Sequence, residues 1–276
     1  MLNILTIEDR VRDTRWGRVF SHLSVDTIKS RVTEGKVHVH HINYINRTGK
    51  VNWKKIEKVT GTSVPVLYSG DTAPPEDIRI NFFEDRELSK RLCGNMALSV
   101  LSMMESVPKN LRIGLYDERG EYWDLAEAIL RFTDNLIVVS QNFPLYRDVA
   151  ERIMEESGAV LCVNPDVKCL SACMLIIAPD AVDFSFTPVT KAVVLSGARP
   201  KVPVSCQSFY GYTFSLDRDF SCLKPEGIST ELFAAGLYSL CGFYELGSLV
   251  PLVCSGDSGA HTTLSLRRYL RECFST

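Results

Sequence analysis

Four carboxylates surround one glycine in Asp117-Glu118-Arg119-Gly120-Glu121-Tyr122-Trp123-Asp124. Acids at this density hold a hydrated metal ion, or a cationic or polyhydroxyl ligand, when they converge. When they do not, they favour the positive end of a helix electrostatically. A wider set falls just beyond successive apolar runs: Asp117, Arg119, Tyr122, Ser140, Gln141, Asn164, Asp166, Asp180 and Ser196. If those runs are parallel strands, the set rims the crevice beyond their carboxyl ends, where open α/β sheets bind ligands. Two readings follow, a ligand crevice or a row of solvated loop tips and helix caps.

Other chemistry-bearing residues give weaker patterns. His38, His40 and His41 form one cluster, and a strand puts His38 and His40 on the same face. Such a pair is a weak zinc candidate, because two further ligands are needed and the nearest acid is Glu34. A partly exposed strand with uncharged imidazoles is the simpler expectation. The nine cysteines are scattered and contain no CxxC, so reduced thiols are expected. Cys169 and Cys173 share a helical spacing only where the next strand should begin. Gly256-Asp257-Ser258-Gly259 echoes the nucleophile tetrapeptide of trypsin-like proteases, but a triad is a matter of geometry, and the rest of that family's pattern is missing.

At 276 residues the chain has room for two domains. Its formal net charge is -2, yet residues 10–58 hold 12 Lys and Arg against 4 Asp and Glu. That asymmetry fits two parts that attract each other, or a surface for an anion or nucleic acid; without a basic run or tail, nucleic acid is the lesser expectation. The uncharged stretch Leu232–Tyr244 has 13 residues, short of the roughly 20 that span a bilayer. The opening Leu2–Asp9 meets Glu8 and Asp9 before any long apolar region, so no secretory signal is read there and a cytoplasmic chain is expected.

The elements that must position these residues alternate. Arg112–Tyr116, Leu136–Val139, Ala159–Val163, Met174–Ala178 and Ala192–Ser196 are apolar runs, with helical patterns over Tyr122–Phe132 and Tyr146–Glu156. Runs without polar alternation suit strands buried on both faces of a parallel sheet. Leu125, Ile129 and Phe132 share one helix face, as do Tyr146, Val149 and Ile153, with Gly158 at the C′ position. Before this region, Leu2–Ile7, Val37–Ile45 and Val64–Tyr68 read as strands and Trp53–Val59 as a basic helix. A helix capped by Ser24, with Ile28 and Val32 on one face and Gly35 at its end, is expected between the first two strands. Residues 70–77 with Pro74-Pro75 read as a linker, dividing a small α+β part, 1–73, from a larger part, 74–276. Ile78–Phe83 reads as a strand and Leu88–Met104 as a helix. Beyond Gly197, Val202–Phe209 and Tyr212–Leu216 suggest a hairpin about Tyr210-Gly211. Helices follow with Ser229 as N-cap, carrying Phe233, Leu237, Leu240 and Tyr244, and from Thr263, carrying Leu266, Leu270 and Cys273. Arg267, Arg268 and Arg271 lie off that last apolar face.

In element order, residues 111–197 resemble the dinucleotide-binding domain of shikimate dehydrogenases and glutamyl-tRNA reductases. The resemblance implies an α/β fold with a doubly wound, mostly parallel sheet, Rossmann-like, beside the smaller N-terminal α+β subdomain. It implies no cofactor residues. That family's first turn uses three glycines so that amides reach a diphosphate; here Gly120 stands alone among acids. The second strand runs into Ser140-Gln141-Asn142, with no acid for a ribose hydroxyl. The expectation is a small polar metabolite, no NAD(P), and an unknown cofactor if any. The alternatives are an enzyme using an acidic crevice with a divalent metal, and an interaction module working through the basic N-terminal part. A homo-oligomer is a further possibility that the sequence leaves open.

Overall fold

The computed structural model describes residues 1–10, 25–85, 87–104, 106–180, 187–201, 206–242 and 249–274. Two compact units emerge: Met1–Asp85 with Leu216–Phe243, and Arg86–Ser215 with Tyr244–Thr276. The expected division at 73/74 therefore falls later, and a C-terminal stretch returns to the first unit.

In the first unit, β1 (Leu2–Asp9), β2 (Thr27–Thr33), β3 (Val39–Asn46) and β4 (Val66–Tyr68) form a sheet of order β2-β3-β1-β4. β1 runs parallel to both neighbours, and β2 antiparallel to β3. Where a helix was expected, β2 is a strand. Ile28 and Val32 share a face at a spacing of four in either geometry, and Thr27, Ile28, Val32 and Thr33 are β-branched residues that favour the sheet. Ser24 lies outside the described residues. The helix α1 (Trp53–Thr60) is capped by Asn52, which accepts from the Lys55 amide, and ends at Gly61. Ile78–Phe83 gives only one bridge, Val66 to Phe82, with its backbone bonded on both sides of Val66. Leu5, Ile42, Tyr44, Trp53, Ile56, Val66 and Ile80 make one core. After a short helix, α5 (Arg218–Ser221), α6 (Thr230–Cys241) packs on β1 and β4. Gly236 permits this close approach, since an added Cβ would stand 2.7 Å from Leu67. Ser229 caps α6 through the Leu232 amide. Phe233 and Leu237 are buried, Leu240 is exposed, and Tyr244 lies outside the described residues.

The second unit begins with α2 (Leu88–Ser102). Then come β5 (Ile113–Tyr116), α3 (Trp123–Leu130), β6 (Leu136–Val139), α4 (Phe143–Ser157), β7 (Cys162–Asn164), a 3-10 helix (Val167–Ala172), β8 (Leu175–Ala178), β9 (Val193–Ser196) and β10 (Gln207–Phe209). The sheet is parallel throughout, in order β10-β9-β8-β5-β6-β7. Counting β5 as the first strand, that order is 3-2-1-4-5-6, the dinucleotide-fold arrangement. β5 and β6 are interior, as their apolar runs imply. On the face where Gly114 opens, Leu170 and Cys173 of the 3-10 turn approach so closely that an added Cβ would meet Leu170 at 2.5 Å. Val139, Leu170, Cys173, Ile176 and Val194 form the core there. α2 packs on β8 and β9, and α3 packs on α2, α4 and β6. Leu125, Ile129, Tyr146, Val149 and Ile153 are buried as expected, but Phe132 is 37% exposed. It falls beyond Leu130, the last residue of α3. Gly158 adopts the left-handed C-cap, φ 71°.

The expected hairpin at Tyr210-Gly211 is instead a change of sheet. β10 ends the parallel sheet, whereas β11 (Gly211–Thr213) pairs with β12 (Val253–Gly256), which pairs with β13 (Gly259–Thr262). Residues 202–205 of that expectation lie outside the described residues. The last helix, α7 (Thr263–Phe274), buries Leu266 and Leu270. Among the described residues, no helix is long and apolar enough to cross a membrane.

Candidate functional site

The turn from β5 into α3 lies where a dinucleotide fold receives diphosphate, and the chain fills it with its own carboxylate. Asp117 is fully buried. Its Oδ1 accepts from the amides of Gly120 and Glu121, both at 2.9 Å, and its Oδ2 from the Tyr122 amide at 2.9 Å. The Tyr146 hydroxyl from α4 donates to Oδ2 at 2.6 Å. Gly120 makes the turn possible, with φ at +79° and no room for a Cβ, which would stand 2.7 Å from Leu145. These amides belong to the turn that precedes α3, whose N-cap is Tyr122, and successive turn amides make an anion-binding nest. Here the anion is internal. Burial, and then the neighbouring Asp117 carboxylate, push the Tyr146 phenol far above its ordinary pKa, so it remains a donor.

The rest of the rim divides in two. Over β6 and β7, Ser140 is buried; its hydroxyl donates to the Glu118 carbonyl at 3.4 Å and accepts from the Asn142 amide at 3.1 Å. Gln141 reaches the Pro165 carbonyl at 3.3 Å, and Asn142 reaches the Arg119 carbonyl at 3.0 Å. Asn164 accepts from the Asp166 amide, and Asp166 caps the 3-10 helix through the Lys168 amide, each at 2.9 Å. The Arg119 side chain is exposed, with only a 3.9 Å pairing to Glu121. Over β8 and β9, Asp180 pairs with Lys90 at 2.8 Å. Buried Ser196 accepts from the Ala198 amide at its hydroxyl and from Tyr212 at its carbonyl.

Tyr122 joins neither polar group. It is buried, its ring lies 5.5 Å from the Arg91 guanidinium, and its hydroxyl has no hydrogen-bond partner among the described residues. Burial raises its pKa, and Asp180 and Glu87 raise it further. Arg91 itself pairs with Asp124 at 2.9 Å.

The acids therefore do not converge. Asp117 turns inward, Asp124 and Asp180 are neutralised by Arg91 and Lys90, and Asp166 caps a turn. The structure gathers Asp117, Tyr122 and Ser140 around the first turn and leaves Arg119, Gln141, Asn164 and Asp166 on an exposed rim. Lys90, Arg91 and Tyr146 escaped the sequence reading. The first two precede the β-α alternation, and Tyr146 lies 29 residues from its partner. The one sequence signal for that bond was a tyrosine on the buried face of the second crossover helix.

His40 uses both ring nitrogens, Nε2 with Ser30 at 2.7 Å and Nδ1 with Asn3 at 3.2 Å. His38 is exposed and precedes β3. Among the described residues, no three His, Cys, Asp or Glu side chains stand together as a metal site. Gly256–Gly259 is the β12–β13 turn; Asp257 there takes Arg199 and Tyr210, and Ser258 accepts from the Ser208 amide. A groove of about 550 Å³ runs between α2 and α3, from Trp123 and Asp124 to Phe132.

Fold and site together describe a Rossmann-like α/β protein whose first β-α turn is closed by an internal carboxylate. Compared with protein-family models and with curated proteins, the chain matches none. Among solved structures, L-tryptophan dehydrogenase from Nostoc punctiforme aligns over 99% of this chain and 81% of its own, at 8% identity and a TM-score of 0.32. A likeness that low carries no argument, and the fold assignment rests on the strand order.

Proposed function

We propose that this chain is a ligand-binding α/β protein that takes a small polar metabolite and does not bind NAD(P) at its first β-α turn. The observation that carries the reading is the Asp117 carboxylate on the amides of Gly120, Glu121 and Tyr122. A diphosphate there must displace a buried, four-fold bonded anion and then face Glu118 and Glu121. Two unit charges at about 4 Å repel by about 4 kcal/mol at an effective dielectric of 20. A helix N-terminus returns only about 0.3–1 kcal/mol in exposed settings. Repulsion outweighs attraction.

The exposed rim of Arg119, Gln141, Asn164 and Asp166 offers one cation, one anion and two carboxamides, which suits a zwitterionic or polyhydroxyl molecule. A divalent-metal enzyme is less well supported, because the crevice acids are already paired or capping. The basic N-terminal part is also less well supported as an interaction surface. Lys55 donates to the Asp26 carbonyl, Lys54 pairs with Asp77 and Lys36 with Asp219; residues 11–24 lie outside the described residues.

A thermal-shift panel of polar metabolites tests the reading, since a ligand of the native state at a hundredfold its Kd stabilises by about 2.7 kcal/mol. A metabolite that raises Tm, and does so no longer in Gln141→Ala with Asn164→Ala, is the expected result. A crystal soaked with NAD that places its diphosphate on the amides of residues 119–122 overturns it.

A further inference from the structure

The geometry points to an anion site, independent of the sheet crevice, on the C-terminal helix. We propose that Arg267, Arg268 and Arg271 of α7 bind a small ligand carrying a dianionic or more highly charged phosphate.

Leu266 and Leu270 turn one side of α7 into the core. Arg267 and Arg271 form the i, i+4 row beside that buried stripe, and Arg268 starts the next row, so three guanidinium groups rise within little more than one turn. They line a cavity of about 390 Å³ together with Glu272. Among the described residues, neither Arg268 nor Arg271 makes an ion pair or a hydrogen bond to a side chain. Arg267 donates from Nη1 to the Met103 carbonyl at 3.0 Å, which fixes its guanidinium, while its buried Nε has no partner among the described residues.

Three like charges on neighbouring positions of one helix, offset among the described lining residues by Glu272 alone, favour an anion that joins them. A buried N–H without an acceptor also marks a missing one. Guanidinium groups offer paired donors that match phosphate oxygens bidentately. The last turn of a helix favours cations, which accounts for Arg271 alone and leaves the unpartnered Nε of Arg267 unexplained. Glu272 opposes an anion, so the described lining residues carry a net charge of +2, from three arginines and one glutamate. The described lining comes from α7 alone, and a strand of nucleic acid draws on a longer basic track than three residues. A compact phosphate is therefore the better fit.

Calorimetric titration of the full chain with inorganic pyrophosphate and inorganic phosphate at low ionic strength tests the site. Pyrophosphate should bind saturably, more tightly than phosphate, and weaken as salt rises. Arg268→Gln with Arg271→Gln should bind pyrophosphate about tenfold more weakly or worse at an unchanged Tm, because neither side chain bonds to another among the described residues. Glu272→Gln should bind it more tightly. Absence of heat up to millimolar pyrophosphate overturns the proposal, as does unchanged affinity in the double variant. A single-stranded oligoribonucleotide binding more tightly than pyrophosphate through the same arginines would replace it with a nucleic-acid surface.

Discussion

Among the described residues, each unit holds one buried aspartate, and the two are bound in nearly the same way. In the first unit, Asp26 accepts from the Tyr44 hydroxyl at 2.6 Å, from the amides of Arg47 and Thr48 at 2.8 and 3.1 Å, and from the Thr48 hydroxyl at 3.0 Å. In the second, Asp117 accepts from the Tyr146 hydroxyl at 2.6 Å and from three amides at 2.9 Å. The bonds are alike and their locations are not. Asp26 ties the end of β3 to the start of β2, closing a loop that has no other use for those amides. Asp117 sits on amides at the carboxyl end of the first strand of a 3-2-1-4-5-6 sheet, where this fold elsewhere presents them to phosphate. One motif stabilises a turn; the other stabilises a turn and, on the function proposed above, also keeps an external anion from it. A carboxylate tethered to its own nest competes with a dissolved anion as an intramolecular ligand does, without the entropy of association.

Removing each aspartate should separate the two roles. Asp117→Ala leaves the Glu121 and Tyr122 amides and the Tyr146 phenol without acceptors in a fully buried site, while Gly120 keeps the residue-117 carbonyl at 3.3 Å; it should cost about 4 kcal/mol, at about 1–3 kcal/mol for each donor that water fails to reach. Asp26→Ala, at a site 8% exposed, admits water more readily and should cost about 2 kcal/mol. Urea midpoints measure both, and a larger loss for Asp26 would break the comparison. Ordinary core truncation gives a scale for both: Ile129→Ala and Ile153→Ala, both in buried positions, should cost roughly 2–5 kcal/mol. An unchanged midpoint in either would mean that α3 or α4 does not rest on that residue.

A smaller effect concerns acid. Burial raises the pKa of Asp26, but the bonds from Tyr44, Arg47 and Thr48 outweigh it and hold the carboxyl below its ordinary value. A depressed carboxylate contributes stability that is present above its unfolded pKa of about 3.9 and is lost as pH falls through the folded value. The stability difference between the wild type and Asp26→Asn should thus be constant above that pH and shrink below it. A difference that persists undiminished in stronger acid contradicts this assignment.

The parts of the fold legible in the sequence are those where burial dictates composition. Leu136–Val139 is an apolar run because β6 is covered on both faces, and its limits match the strand. Gly158 marked the end of α4 because a left-handed residue is required there. Illegible parts depend on distant partners. Ile28 and Val32 share a face in a helix and in a strand alike, so only pairing with β3 decides between them. Residues 216–243 return to β1 and β4 through contacts such as Gly236 with Leu67, which no local pattern announces. At the site, the acids of residues 117–124 were visible and their roles were not. Asp117 reads as one charge among four, and only the inward turn at Gly120 and the distant Tyr146 make it the ligand of its own loop. Lys90 and Arg91, which neutralise Asp180 and Asp124, belong to a helix that precedes the alternation.

The central claim, that Asp117 occupies the place of a diphosphate, is tested most directly at the three amides it holds. In a two-dimensional amide NMR spectrum of the isotope-labelled chain, the Gly120, Glu121 and Tyr122 resonances should stay in place as NAD, and separately NADP, is added to millimolar concentration. The same three resonances should shift in Asp117→Asn, which alters the internal acceptor. Saturable movement of the wild-type resonances with either cofactor would show that an external phosphate reaches those amides, and would contradict the account.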